Sequence, residues 1–419
     1  MHGLSVAAAL ANQLAKRAKR PDVLLLERSQ LGAGATGVAG GIVRCYYRSP
    51  AITEIVRMSV ERFERSPDSF GFHQVGFLAV VPERQAGDLE AISARQSEVG
   101  YESELVTGAG PCEEYLTWMW PDFDASGVEA VLHERRSGWA DPSATVRELA
   151  REARDAGVRI MEGTEVVELD TSGASVSAVE TNKGSIRCEH VTFACGVWAR
   201  DVWRMLDRDF TLSIDGTSAP LVDLVKAQEG DFTLAGVGLQ GSAGREAPVV
   251  HFDAEGPLRV DGDGRTLIEG PWGTYFRMGR TGTGVTIGGL PVQLGPDAPL
   301  DPYGQQNPQH IAEDAFGEFV QAALARILRR FRGTGKRWEA SLHGGVVGLT
   351  PDGYPVLDHV LENVYAILDA GHTYKMLAFG PLAAKDILEG PEPRLEPFRL
   401  NRFEARQLQP ASSGPFPWT

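Results

Sequence analysis

Cysteine is scarce in this chain: four residues in 419, Cys45, Cys112, Cys188 and Cys195, with no CxxC pair and no histidine spacing of a metal site. A disulfide-stapled scaffold and a zinc site are thereby excluded, leaving four reduced thiols and no metal. Basic excess is also lacking, because 41 Lys and Arg face 56 Asp and Glu for a formal net charge of −15. No nucleic acid and no anionic membrane surface is expected as a partner, although one local basic pocket for a small anion fits that total. No apolar run reaches the length of a membrane span, and the N-terminus lacks the basic, apolar, small-residue succession of a signal peptide. A cytoplasmic location follows as the expectation. Internal repeats are absent as well, so the length points to two or three ordinary domains.

What is present begins with MHGLSVAAALANQLAKR and PDVLLLERSQLGAGATG. Gly3 precedes a helix of small and apolar residues, and VLLLE is a short apolar run of the kind buried on both faces of a parallel sheet. Glu27 ends that run, as an acid ends the second strand of a dinucleotide-binding unit, where it holds the adenosine ribose. The same residues also suit an ordinary amphipathic helix beside an ordinary strand. In the dinucleotide reading the first strand and the other turn glycines are missing, so the start is expected to lack about a dozen residues.

Further on, Asp141-Pro142-Ser143 followed by ATVRELAREARDAG predicts a helix capped by Asp141 and ended by Gly157, with Val146, Leu149, Ala150 and Ala153 buried. Strands follow around the turn Asn182-Lys183-Gly184 and in VTFAC before Gly196. Residues 206–300 read as an antiparallel sheet, and EDAFGEFVQAALARILRRFRG as one amphipathic helix with Arg326, Arg329 and Arg330 on a solvated face or complementing its C-terminus. The tail from Pro391 reads as an extended arm.

In this order, HGLS with VLLLERSQLGAGATGVAGGIVR, GWADPSATVRELAREARDAGV with GTEVVELD, FACGVWAR, and GLTPDGYPVLD with GHTYKMLAFGP resemble the D-amino acid oxidase and sarcosine oxidase superfamily of FAD-dependent oxidoreductases, glycine-oxidase-like members included. The resemblance spans nearly the whole chain and leaves the substrate open. It implies an α/β fold: a Rossmann-like FAD-binding domain from 1–45, 136–205 and 340–390, an antiparallel-sheet α+β substrate domain from 46–135 and 206–339, and a C-terminal arm at 391–419.

The resemblance also implies the site. Gly3, Glu27, Arg28, Gly34, Ala35 and Thr36 would hold the ribose and phosphates, Val167 the adenine, and Ala194, Cys195 and Gly196 the cofactor-side strand end. Gly371, Thr373, Tyr374, Lys375 and Met376 would begin a helix whose amides favour negative charge on the reduced flavin. Arg44 and Lys375 would clamp a substrate carboxylate, His372 would be a base or a flavin contact, and Tyr46, Tyr47, Tyr275 and Tyr374 would wall the pocket. Arg277 stays open between structural pairing and substrate recognition, and Trp198 is expected to pack.

Three departures qualify these expectations. Relatives bond flavin to a cysteine where this chain has Gly344-Gly345-Val346-Val347, or to a histidine where it has Val38, so FAD is expected to be noncovalent. Efficient users of oxygen carry a roof lysine at the position of Thr286, which leaves oxygen or another electron acceptor open. Val347 replaces a carboxylate-binding arginine of glycine-oxidase-like members, which favours the Arg44 and Lys375 clamp. The expected activity is oxidation of a small amine or amino acid by hydride transfer to flavin, giving an imine that water hydrolyses. The alternatives are a flavin dehydrogenase serving a non-oxygen acceptor and a noncatalytic flavin-binding subunit; the absence of a second glycine-rich NADPH turn disfavours a monooxygenase.

Overall fold

The computed structural model describes residues 1–415 apart from 18, 19, 21, 173, 209, 215, 245, 280–283, 302–305 and 412. The alanine-rich stretch after Gly3 forms the helix His2–Lys16. Its small side chains permit close approach: Ala7, Ala8 and Ala11 share one core with Val146, Leu149 and Ala153 of helix Pro142–Asp155 and with Phe379, Leu382 and Ala383 of helix Phe379–Glu389. The second helix starts as its sequence prescribes, with Asp141 Oδ1 accepting from the Ala144 amide at 2.7 Å. Gly157 leaves it at φ +90°, a conformation that favours glycine.

These helices pack on parallel strands in two pieces. Leu24–Leu26 pairs with Arg159–Met161, while Val191–Phe193 pairs with Val364–Leu368, which also takes Val356–Leu361 antiparallel. Gly3 lies where the first helix crosses both pieces, and a Cβ there would be 3.9 Å from Leu25 and from Ala194. The turn at Asn182-Lys183 closes the hairpin of Ser175–Thr181 with Gly184–Arg187.

The remaining large element is an eight-stranded sheet in the order 339–349, 223–233, 285–293, 272–278, 249–254, 77–81, 130–134, 103–107. Every neighbouring pair is antiparallel except 249–254 with 77–81. Paired residues share a face, so the register sorts the side chains. Ile287, Phe276, Val250 and Leu78 lie on one face and pack in a second core with Phe316, Phe319, Val320 and Ala323 of helix Asp314–Ile327. The opposite face carries the polar row His343, Glu229, Gly288, Tyr275, His251. That row meets the segment after Val38: a Cβ on Gly40 would stand 2.3 Å from Glu229 Oε2.

Two segments differ from the sequence expectation. The amphipathic helix ends at Ile327, beyond which Leu328 bridges to Phe123; Arg326 and Arg330 pair with Asp124 and Asp122 and do not form a solvated face. The tail is anchored as well as extended: Pro393–Phe398 and Asn401–Glu404 are helical turns, and Leu395, Phe398 and Phe403 are buried. Arg402 fixes it with Nε and Nη2 donating to the two Asp352 oxygens at 2.8 and 2.9 Å.

Candidate functional site

The carboxyl ends of the parallel strands lead to Glu27, Ala194 and Asp369, the crevice in which α/β sheets take ligands. Glu27 Oε1 accepts from the Ser29 amide at 2.9 Å, which sets the acid at the strand exit. Gly32, at φ +83°, opens a loop so tight that a Cβ on Gly37 would lie 2.1 Å from the Gly32 carbonyl oxygen. Gly34, Ala35 and Thr36 run from it into the turn Ala35–Val38, and the Thr36 carbonyl accepts from Tyr374 Oη at 2.8 Å. Arg28 is engaged by Glu165 and Asp301, each at 3.1 Å, so its charge is committed to carboxylates. Val167 is 53% exposed, an apolar surface that suits a planar base, while Cys195 is exposed and Gly196 turns at φ +57°.

Arg44 is 4% exposed and ringed by aromatics, with Cζ 4.9 Å from the Tyr47 ring, 5.4 Å from Tyr46 and 5.7 Å from Phe77. Its Nη1 donates to the Tyr46 carbonyl at 2.5 Å. Tyr47 in turn joins His372 through Oη and Nδ1 at 3.0 Å. Lys375 ends the 3₁₀ turn Thr373–Lys375, which contacts the strand Ile42–Val43 preceding Arg44. Burial and the Arg44 charge together lower the Lys375 ammonium to about 7. The two cations foreseen in the sequence are therefore neighbours.

For His372 the sequence left a base or a flavin contact open, and the structure engages both of its ring nitrogens. Its Nε2 lies 2.9 Å from the Gly353 carbonyl, which can only accept, so Nε2 carries the hydrogen and Nδ1 accepts from Tyr47. Burial first, and then Lys375, push this imidazole down to about 3. It is a neutral strut with both nitrogens in use. The expected helix start at Gly371–Met376 is also displaced: Gly371 turns at φ +80°, a single 3₁₀ turn follows, and the helix begins at Phe379. Arg277 is buried with Nε on the Gly40 carbonyl at 3.1 Å and its guanidinium 4.2 Å from the Trp139 ring, a structural pairing.

Sequence reasoning missed two acids. Asp369 takes hydrogen bonds from Thr373 Oγ1 and from the His372 amide; although burial opposes it, His2 and these donors hold its carboxyl well below the usual range. Its signal was an acid directly after the apolar run VYAIL. Glu134, in AVLHE, is fully buried and accepts from the Cys45 amide at 2.7 Å. Its signal was a charge inside an otherwise apolar strand.

Two positions read as flavin attachment points in relatives come together here, because a Cβ on Gly345 would lie 3.2 Å from Val38 Cγ2. Neither carries a nucleophile. The roof position Thr286 donates through Oγ1 to Asp231 at 2.5 Å. Among the described residues no group of three or more His, Cys, Asp or Glu side chains could hold a metal, and no helix is long and apolar enough to cross a membrane. The loop of glycine and small residues at 32–37, the acid at the strand exit and the exposed Val167 fit an adenine dinucleotide.

Comparison with known proteins places the chain by sequence and by fold. Dimethylglycine dehydrogenase of Rattus norvegicus is 30% identical over 284 residues, covering 66% of this chain and 31% of that protein, so the match spans about a third of the relative's length. The sarcosine oxidase subunit beta of Rhizobium meliloti is 24% identical over 96% of this chain and 86% of its own. Among solved structures, L-proline dehydrogenase from P. horikoshii superposes with a TM-score of 0.74 at 22% identity, over 97% of each chain, and glycine oxidase from Geobacillus kaustophilus with 0.68 at 20% identity, over 96% of each. These likenesses share the α/β fold with its large, mostly antiparallel sheet. Residues 1–389 match the family model described as DAO, FAD dependent oxidoreductase, and the chain belongs to that family.

Proposed function

We propose that this FAD-dependent oxidoreductase oxidises the carbon–nitrogen bond of a small amino acid, with Arg44 and Lys375 binding the substrate carboxylate. The carrying observation is that the buried Arg44 and the part-buried Lys375 come from two segments that pack together, the turn Thr373–Lys375 against the strand leading into Arg44. The names of similar proteins, which include dimethylglycine dehydrogenase, sarcosine oxidase and glycine oxidase, support a substrate with an amine beside a carboxylate.

Bound FAD supplies the two-electron acceptor for a hydride. The chain's own residues orient: the clamp fixes the carboxylate, and with it the neighbouring carbon, while the rings of Tyr46, Tyr47 and Phe77 exclude water around Arg44. As that carbon loses hydride, the amine lone pair forms the C=N bond; water then adds and releases the amine and a carbonyl product. Glu27, Gly34–Thr36, Val167 and Ala194–Gly196 would hold the dinucleotide, in a flavin unit formed by 1–45, 136–205 and 340–390. Val38 and Gly345 favour a noncovalent cofactor.

Anaerobic titration of the holoprotein with candidate amino acids, read by flavin bleaching, tests the activity. Arg44→Met and Lys375→Met should each lower kcat/KM about ten- to a hundredfold, the equivalent of one charge-assisted hydrogen bond of ~1.5–3 kcal/mol. The corresponding amine lacking a carboxylate should be much less affected. Equal losses on both at unchanged FAD content would assign the two cations to the flavin or the fold. Bleaching by no amine at all would favour a noncatalytic flavin-binding subunit, a reading supported by the likeness to the regulatory subunit of pyruvate dehydrogenase phosphatase from Mus musculus, 25% identical over 187 residues, 43% of this chain and 21% of that protein.

A further inference from the structure

Arg44 lies just past the end of a strand of only two residues, Ile42–Val43, where ladder hydrogen bonds no longer hold the backbone. The next residue is instead gripped by side chains. Glu134 Oε2 accepts from the Cys45 amide at 2.7 Å, and Gln96 Nε2 donates to the Cys45 carbonyl at 2.9 Å and to Glu134 Oε1 at 2.6 Å. Ser137 Oγ gives the same carboxylate a further hydrogen bond at 2.6 Å and meets Tyr101 Oη at 2.7 Å. Cys45, Gln96, Tyr101, Glu134 and Ser137 are all fully buried.

A carboxylate without solvent is costly, and the same hydrogen-bonding geometry around an apolar or amide group would be cheaper. Three groups converge on Glu134, the Cys45 amide and Ser137 Oγ on one oxygen and Gln96 Nε2 on the other; burial pushes its carboxyl up, and these partners together with the Arg44 charge oppose that rise. Two links reach Arg44. One is covalent, through Cys45; the other runs through Phe77, which pairs with Glu134 across the sheet and whose ring lies 5.7 Å from the Arg44 guanidinium.

We infer that Glu134, held by Gln96 and Ser137, is a positioning residue that fixes Arg44 for recognition of the substrate carboxylate. The inference rests on the clamp reading given above. Neither Glu134 nor its partners touches the ligand; they set where the guanidinium stands.

The test uses two probes of equal size on the FAD-loaded protein: methoxyacetate, which carries a carboxylate, and 2-methoxyacetamide, which does not. Binding is read from the flavin absorbance change. Glu134→Gln keeps the shape but puts an amide nitrogen where a carboxyl oxygen met a hydrogen-bond donor, and should weaken methoxyacetate about tenfold while the amide changes less than about twofold. Ser137→Ala, a milder change, should produce the same selectivity at about two- to threefold. Equal weakening of both probes, or no weakening of either, overturns the inference; should Glu134→Gln fail to fold, the Ser137→Ala selectivity decides it by the same criterion. Arg44→Met separates the two levels of argument. If that variant weakens methoxyacetate no more than the amide, the clamp itself is refuted; if it weakens methoxyacetate selectively and the Glu134 and Ser137 variants do not, only the positioning role fails.

Discussion

At the scale of single residues, the clearest chemistry is that of Lys375, whose ammonium sits near 7 because it is buried beside Arg44. A bound carboxylate favours the protonated form, so binding raises the lysine's proton affinity and, above about pH 7, takes up a proton from solution. Affinity for methoxyacetate should therefore be highest below about pH 7 and fall, by at most about tenfold per unit, as pH rises through that value. Lys375→Met should flatten the profile, and a wild-type affinity independent of pH between about 6 and 9 would show that this lysine does not meet the ligand. His372 contributes nothing to that curve, since it is already neutral far above about 3. Both residues were legible as candidates from GHTYKM, and so was a clamp role for Lys375, but the partners of His372 were not. The division of labour depends on Gly353 and Tyr47, which the folded chain brings to the two nitrogens of His372 from separate segments.

At the scale of elements, local signals were readable and distant ones were not. The cap at Asp141 acts on an amide three residues away, so sequence alone placed the helix Pro142–Asp155 and its buried stripe. Asp352 and Arg402, fifty positions apart, could not be matched in that way; the motif LTPDGYPVLD was recognisable, yet what its acid does emerged only with the tail folded back upon it. The two acids should differ in the same sense when removed. Asp141→Ala loses a cap worth about 1 kcal/mol. Asp352→Asn strands a guanidinium whose side chain is 2% exposed, and breaking such a buried pair costs about 3–5 kcal/mol. Urea melts of the two variants should rank in that order, and limited proteolysis of Asp352→Asn should cut first between 391 and 415. If both variants melt alike with the tail still protected, the tail is held by Leu395, Phe398 and Phe403 alone.

At the scale of the whole molecule, one large sheet carries both Phe77, beside Arg44, and Thr286. Its polar face was the least legible part of the sequence, because strands of mixed Gly, Thr and Val give no register by themselves, and a slip of one residue would turn every side chain over. With the register known, Thr286 pairs with Asp231 on one side and Arg277 on the other, on the same face as Glu229 and Tyr275. The place read as a lysine in oxygen-using relatives thus holds a hydroxyl bonded to a carboxylate. Negative charge developing on oxygen would meet an acid at Thr286, while the neighbouring Arg277 is committed to the Gly40 carbonyl and the Trp139 ring, which favours an electron acceptor other than oxygen. Substrate-reduced protein mixed with aerated buffer should recover its flavin absorbance slowly compared with turnover on an artificial acceptor. Thr286→Lys alone should help little, because Asp231 would pair with the new ammonium; Thr286→Lys combined with Asp231→Asn should speed reoxidation by roughly tenfold or more, the scale of one added stabilising group. Wild-type recovery that outruns the artificial acceptor would make oxygen the natural oxidant and remove the dehydrogenase reading. An equal gain from the single and double variants would mean that Asp231 does not govern the charge at that position.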